Sequence, residues 1–332
     1  MRLLNRSDVR QSLSMGEAVE IVKHALIELS TGNADIPVRT VLSQPKHDGL
    51  TLFMPGYLSK SEALAIKVVS VHNRNPELHL PRIHALVIVI DPQTGQPVAA
   101  MEGGWLTALR TGAASGVATD LLARADAEVA AIFGAGAQAR TQMQAVAAVR
   151  RIKRFWIYAR HRETVEALIA EMQPQLVSAE LIAADSPSQA VREAGVICAA
   201  TTSQTPVFDG VDLKPGVHIN GVGSYSSQMQ EIDCLTLRRA AKLVVDQREA
   251  ALEEAGDLIV AIERGEIQAT DIYAELGEIA AGLKAGREDD EEITYFKSVG
   301  NAAQDAAVAQ AIYQRAVEAN LGEAFNLGGD GL

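Results

Sequence analysis

Cysteine and aromatic residues are scarce in this chain, and each scarcity excludes something. Cys198 and Cys234 are the only cysteines, too few for a disulfide framework and without the spacing of a metal site. Phe, Trp and Tyr make up 4% of the residues, while Ala, Val, Ile and Leu abound, a balance that suits parallel strands covered by helices on both faces. No apolar run approaches the ~18 residues that read as a membrane-spanning helix. The start, Met1-Arg-Leu-Leu-Asn-Arg-Ser-Asp8, lacks the apolar stretch of a secretory signal. Basic residues are outnumbered, 30 Lys and Arg against 42 Asp and Glu, which argues against nucleic acid and anionic membrane as partners. These features together lead us to expect a cytoplasmic protein without a metal. In so acidic a chain, a local cluster of basic residues calls for a reason.

What is present falls into two patterns. At 332 residues the chain exceeds the usual single-domain size, so two domains are expected. Ser14–Ser30 has apolar residues at helical spacing, and the short strand-like runs 38–42, 51–54, 63–70 and 83–90 follow with Pro, Gly and Asn between them. Strands in succession without intervening helices predict an antiparallel or mixed sheet. Asp91-Pro-Gln-Thr-Gly95 reads as a hairpin turn, and Leu106–Ala123 as a helix leading into the next domain. From Glu128 the pattern alternates. Strands are expected at 129–133, 155–158, 179–183, 196–200, 218–222 and 242–245, with helices at 138–150, 162–172 and 188–194. That order predicts a Rossmann-type, doubly wound parallel sheet. A polar, acidic segment spans 286–292, a last helix 302–319, and the tail from Gly328 reads as frayed. There is no internal repeat or low-complexity tract.

The most informative stretch is Glu128-Val-Ala-Ala-Ile-Phe-Gly134-Ala-Gly136-Ala137-Gln138-Ala139. An apolar strand ends in glycines and opens into a helix, as a dinucleotide loop requires. Gly134 permits the tight turn and Gly136 lets backbone approach a pyrophosphate. Ala139 lets helix and strand pack closely, and free N–H groups at the helix start favour the anion. In NAD sites an acidic residue at the end of the second strand accepts from the ribose 2′-hydroxyl. Here that strand ends Trp156-Ile-Tyr-Ala-Arg160-His161-Arg162, with no carboxylate. Two guanidinium groups suit a 2′-phosphate, so NADPH is expected, with NADH possible.

Several further segments resemble the ornithine cyclodeaminase/mu-crystallin family over essentially the whole chain. They are Pro37-Val-Arg39, Phe53-Met-Pro55, Ala65-Ile-Lys67-Val-Val-Ser70, Thr107-Ala-Leu-Arg110-Thr111-Gly-Ala113, the glycine loop, Asn220-Gly-Val222-Gly223 with Glu231-Ile-Asp233, and Phe296-Lys-Ser298-Val-Gly300 with Asp305. The resemblance implies a substrate-binding and dimerising α+β domain, 1–120 completed by 301–332, and a Rossmann domain, 121–300. It implies a homodimer joined through the sheet of the first domain. It also implies that Arg39, Lys67 and Arg110 hold a substrate α-carboxylate, and that Thr111, Val222, Ser298 and Gly300 join the glycine loop at the cofactor. The physical argument is independent: a buried carboxylate needs paired, hydrogen-bonded partners, and Lys67 within an apolar run would be costly without one.

Two departures narrow the chemistry that the resemblance implies. The family's cyclodeaminases and alanine dehydrogenases place an Asp base where this chain has Tyr225, and a phenol of pKa near 10 is no resting base at neutral pH. The cyclodeaminases also hold the substrate's distal amino group with a Glu where this chain has Leu52. What remains is a carboxylate clamp, a hydride donor and an apolar pocket. That set fits NAD(P)H-dependent reduction of a cyclic ketimine, Δ1-pyrroline-2-carboxylate or Δ1-piperideine-2-carboxylate. The alternatives are an ornithine cyclodeaminase, an alanine-type amino-acid dehydrogenase, and a mu-crystallin-like ligand-binding protein. Lys67, His84 and Tyr225 are the candidate proton donors, the alternative being that the proton arrives bound to the imine, and Arg82 stands where the family often has a small hydroxyl residue.

Overall fold

The computed structural model describes residues 1–328, and the rest of the tail expected to fray lies outside the described residues. The chain divides into two compact units, Met1–Arg110 with the segment from Asn301 onward, and Thr111–Gly300. The division falls at residue 110 rather than 120, inside the connecting helix.

The first unit opens with β1 (Arg2–Leu4), α1 (Arg6–Ser12), α2 (Met15–Ser30), β2 (Ala34–Asp35), β3 (Thr40–Gln44), β4 (Gly49–Leu58), β5 (Ala63–His72), β6 (Ile83–Ile90) and β7 (Pro97–Glu102). Helix α3 (Gly103–Leu122) carries the chain onward to β8 (Val129–Phe133), α4 (Ala137–Val149), β9 (Arg154–Tyr158), α5 (Arg162–Met172), β10 (Glu180–Ala183), α6 (Pro187–Glu193), β11 (Val196–Ala199) and β12 (His218–Gly221). Then come α7 (Cys234–Arg239), β13 (Lys242–Val245), α8 (Arg248–Glu254), α9 (Gly256–Glu263), β14 (Ile272–Glu275), α10 (Leu276–Ala280) and β15 (Thr294–Lys297). The chain returns to the first unit with α11 (Ala302–Glu318) and β16 (Glu323–Ala324).

The first unit's sheet has the order β16-β1-β7-β6-β5-β4-β2, with β3 also on β4. It is mixed, because β1 runs parallel to β7 while the hairpin-linked strands are antiparallel. Strand β7 was not foreseen; it closes the hairpin whose turn Asp91 builds by accepting from the N–H groups of Gln93 and Thr94. Side chains alternate between the two faces. Met54, Leu58, Ala63, Ala65, Val87 and Val89 are buried on one, where α11 packs closely enough that a Cβ on Gly56 would lie 2.9 Å from the Ala302 carbonyl. On the other face Leu86 remains 45% exposed.

The second unit is a doubly wound sheet of order β10-β9-β8-β11-β12-β15-β13-β14, parallel throughout. Buried Ile132, Phe155, Ile157 and Val165 form one cluster, and Phe133, Ile197, Ile219, Val245 and Leu258 another, so the sheet is covered on both faces. All six expected strands match within a residue, and β14 and β15 come in addition. Strand β15 inserts between β12 and β13, a placement that local pattern does not encode.

Candidate active site

In the second unit, the glycine loop has the geometry its sequence requires. Gly134 has φ of +106°, and a Cβ there would meet the Ala200 carbonyl at 2.6 Å, so glycine is needed for both conformation and room. Gly136 is the N-cap of α4 and no side chain caps that helix. A Cβ on Gly136 would meet nothing within 4 Å. The first N–H groups of α4, those of Ala137, Gln138 and Ala139, therefore have an open approach at the positive end of the helix. Ala139 is fully buried beside Ile132 and Ile157, which seats the helix on its strand. These features fit a pyrophosphate.

The loop 298–300 is fixed by Asp246, whose Oδ2 accepts from Ser298 Oγ and from the N–H groups of Val299 and Gly300 at 2.7–3.0 Å. The Ser298 hydroxyl is thus committed to Asp246, while Gly300 turns with φ of +79°. Thr111 and Val222 are both buried at 7% exposure, and the Thr111 carbonyl accepts from Gln142.

The two arginines after β9 differ. Arg160 is exposed. Arg162 opens α5 and is ion-paired to Asp185 at 2.7 Å and Glu166 at 3.3 Å. Sequence reading found no carboxylate at the second strand. Tertiary structure brings one, Asp185, from the segment after β10, and corrects the picture of two free guanidinium groups.

The first unit gathers the basic trio. Lys67 lies on the helix-covered face of β5, since Ala63 and Ala65 share its alternation and are buried. Its ammonium is 2.6 Å from Asp305 Oδ2. Arg110 donates through Nε to Asp305 Oδ1 at 3.0 Å and through a terminal nitrogen to Gln304 Oε1 at 3.0 Å. Lys67 and Asp305 side chains are 2% exposed and Arg110 7%. Burial drives Lys67 down to about 8; Asp305 opposes the fall, and the charges of Arg110 and then Arg39 add to it. Arg39, half-buried ahead of β3, is thereby near the same ammonium. For Asp305, burial alone would raise the carboxyl, but Lys67 and Arg110 outweigh it and hold it below the usual range.

Asp305, named with the family-like segments but given no role there, and Gln304, not named at all, are the site groups that the sequence left unassigned. The available signal was two polar residues on an Ala-rich stretch whose neighbours Ala302, Ala303 and Ala306 are all buried. Asp305 also supplies the partner that a buried Lys67 demands. Lys67 and Arg110 share this one carboxylate, which leaves a positive charge in excess.

One pleat along from Lys67, cross-strand neighbours Leu52, Val69 and Ala85 form an apolar row on the same face. Leu52 therefore borders the cation cluster and no carboxylate takes its place. His84 does not belong here. It pairs with Ser70, which places it on the opposite face from Lys67, and it is exposed there, so it cannot relay a proton to Lys67. Arg82 shares His84's face and is tied to Asn73. Tyr225 belongs to the second unit and is 39% exposed.

Among the described residues there is no group of His, Cys, Asp or Glu that would hold a metal ion, and no helix long and apolar enough to cross a membrane.

The chain is similar to several known proteins. A Δ1-pyrroline-2-carboxylate reductase of Bacillus cereus is 42% identical over 323 residues, 97% of this chain and 99% of that protein. The structure of Thermococcus litoralis Δ1-pyrroline-2-carboxylate reductase in complex with NADH and L-proline superposes with a TM-score of 0.94 at 44% identity, covering 98% of this chain and 100% of that one. An archaeal alanine dehydrogenase dimer with bound NAD gives 0.91 at 34% identity, covering 98% and 99%. The pattern of the ornithine cyclodeaminase/mu-crystallin family matches residues 1–320, and this chain belongs to that family.

Proposed function

We propose that this protein is an NAD(P)H-dependent reductase of cyclic ketimines that converts Δ1-pyrroline-2-carboxylate to L-proline or Δ1-piperideine-2-carboxylate to L-pipecolate. The observation that carries the reading is the Lys67–Asp305–Arg110 cluster beside an apolar row: an excess positive charge for the α-carboxylate, and Leu52, Val69 and Ala85 for ring methylenes. The names of the similar reductases support the choice of imine.

Arg39 and Arg110 pair the carboxylate and so fix C2 and the ring nitrogen. Lys67, at about 8, is mostly protonated at neutral pH and gives its proton to that nitrogen. Asp305 keeps the ammonium charged while remaining an anion itself. When bound, NAD(P)H supplies the hydride that C2 accepts. Gly134, Gly136, Ala137, Gln138 and Ala139 hold the pyrophosphate, and Thr111, Val222, Ser298 and Gly300 complete the cofactor's surroundings. Arg160 meets the 2′-phosphate of NADPH, with Arg162 a minor contributor because Asp185 and Glu166 already offset its charge.

The protein is proposed to act as a homodimer. The sheet face opposite α11 carries Phe53, Tyr57, Ile66, Val68, Leu86 and Ile88, apolar residues that are at most partly buried within the chain, as a self-complementary interface requires.

The test is NAD(P)H oxidation with cyclic imines, with linear 2-oxo acids plus amines, and with ornithine. Turnover of a cyclic imine well above the others is expected. Ammonia release from ornithine, or cofactor binding with no turnover of any imine, would overturn the assignment.

A further inference from the structure

Three loops leave the carboxyl ends of the adjacent strands β8, β11 and β12, and they touch. A Cβ on Gly134 would meet Ala200 and Thr201. A Cβ on Gly223 would meet the Thr201 carbonyl and the Glu231 carboxylate. Glu231, fully buried, joins two of these loops directly: Oε1 accepts from the N–H of Thr201 at 2.5 Å, and Oε2 from the N–H groups of Gly223 at 2.7 Å and Ser224 at 3.1 Å. The third loop, the glycine loop, leans on Thr201. None of the roles assigned above uses Glu231.

Glu231 is itself held. Asp257, at the start of α9, accepts through Oδ1 from the N–H groups of Glu231 and Ile232 at 2.7 and 3.0 Å. Its Oδ2 accepts from Lys297 at 3.0 Å and from the Tyr295 hydroxyl at 3.3 Å. All four side chains are buried. The charged and titratable groups that face Glu231 are therefore Lys297 and Tyr295 from β15 and Asp257 from α9.

We propose that Glu231 is a positioning residue for the dinucleotide: its ionised carboxylate clasps the loops after β11 and β12 against the glycine loop, and its protonation releases them and weakens cofactor binding. The inference rests on the reading that the glycine loop binds a pyrophosphate. An ionised carboxylate accepts all three N–H groups, whereas a protonated one must give up acceptor capacity to a hydroxyl that faces only donors. Burial pushes the carboxyl up, Lys297 pulls it down, Asp257 pushes it up again, and the balance stands at about 7. The clasp is thus closed above that pH and opens below it, within a range an enzyme meets.

The experiment is NADH binding to the full-length protein, read by nicotinamide fluorescence from pH 6 to 9, for the wild type and for Glu231→Gln. Gln keeps the shape but turns an NH2 group toward N–H donors. The wild-type Kd should be flat at alkaline pH and rise below about 7, whereas Glu231→Gln should bind on the order of tenfold more weakly and lose that inflection. Should Glu231→Gln fail to fold, amide exchange of the wild type at Thr201, Gly223 and Ser224 carries the test: exchange corrected for its intrinsic pH dependence should speed up as pH falls through 7. Wild-type affinity and pH dependence in Glu231→Gln, or unchanged protection at those three amides, would overturn the proposal. Imine turnover by the wild type at pH 8 is measured separately. Turnover with an unaffected Glu231→Gln sinks the clasp alone, while a wild type that binds no NADH sinks both readings.

Discussion

Asp305→Asn and Arg110→Met should move the acid group of turnover in opposite directions. Lys67 stands at about 8, lowered by burial, raised by Asp305 and lowered by Arg110. An opposite charge at close range shifts a titration by about 1–3 units. Removing the Asp305 carboxylate should therefore drop Lys67 to roughly 5–7. If protonated Lys67 supplies the proton, kcat falls as pH rises through its pKa. The alkaline limb of kcat should then move from near 8 in the wild type to the acid side by about 1–3 units in Asp305→Asn. At pH 7 a two-unit fall would cost roughly tenfold in kcat. Arg110→Met deletes a charge that depresses Lys67, so its limb should move to the alkaline side. The same variant leaves the substrate carboxylate partly unpaired, which costs on the order of 2–5 kcal/mol and lowers kcat/KM by about thirtyfold to several thousandfold. Both changes disturb a buried cluster, and breaking such a pair costs roughly 3–5 kcal/mol of stability. Circular dichroism must therefore fix a temperature at which each variant is folded, and kcat is then measured from pH 5 to 10 at saturating imine. Limbs that stay put, or that move in the same direction in both variants, would refute the assignment of Lys67 as proton donor and of Asp305 as the group that keeps it charged.

Arg160→Ala should raise KM for NADPH about tenfold or more through loss of a charge-assisted contact and leave NADH nearly unchanged, whereas Arg162→Ala should do less; steady-state kinetics with both cofactors decides, and equal effects on NADPH and NADH would end the argument. Ile66→Glu places a charge at the centre of the open sheet face and should convert a dimer to a monomer of 35.4 kDa by light scattering; a wild type already monomeric at micromolar concentration contradicts the interface. His218 is buried and held neutral, pushed down to about 3 chiefly by burial, while the unfolded imidazole titrates near 6.5. The unfolded chain therefore binds more protons between those values, and stability should fall as pH drops through that window. Chemical denaturation of wild type against His218→Gln should show a steeper loss in the wild type, and equal slopes would count against it.

The division between sequence and fold runs along the length scale of the physics. Helix caps such as Ser14 with Glu17, the strand leading into Gly134, and the helix seated by Ala139 arise from residues a few positions apart, so their pattern is written locally. The alternating strands and helices after Glu128 determined a doubly wound sheet by the same logic, and the succession of strands before it determined a mixed one. Short, wholly buried strands such as β11 and β15 carry no alternation to read, because both faces are covered; β11 was still legible as an apolar run, whereas β15, with Lys297 in it, was not. The electrostatics of the site were decided elsewhere. Whether a buried cation is tolerable depends on the carboxylate that faces it, and Asp305 lies 238 positions from Lys67 in the sequence yet 2.6 Å away in space. Likewise Asp185 reaches Arg162 across a neighbouring strand, and the pleat sends His84 to the face away from Lys67. Charge–charge energy depends on distance and burial, both of which are properties of the folded chain. The sequence by itself therefore named the candidate cations of the site, and only the tertiary structure decided which carboxylate they share.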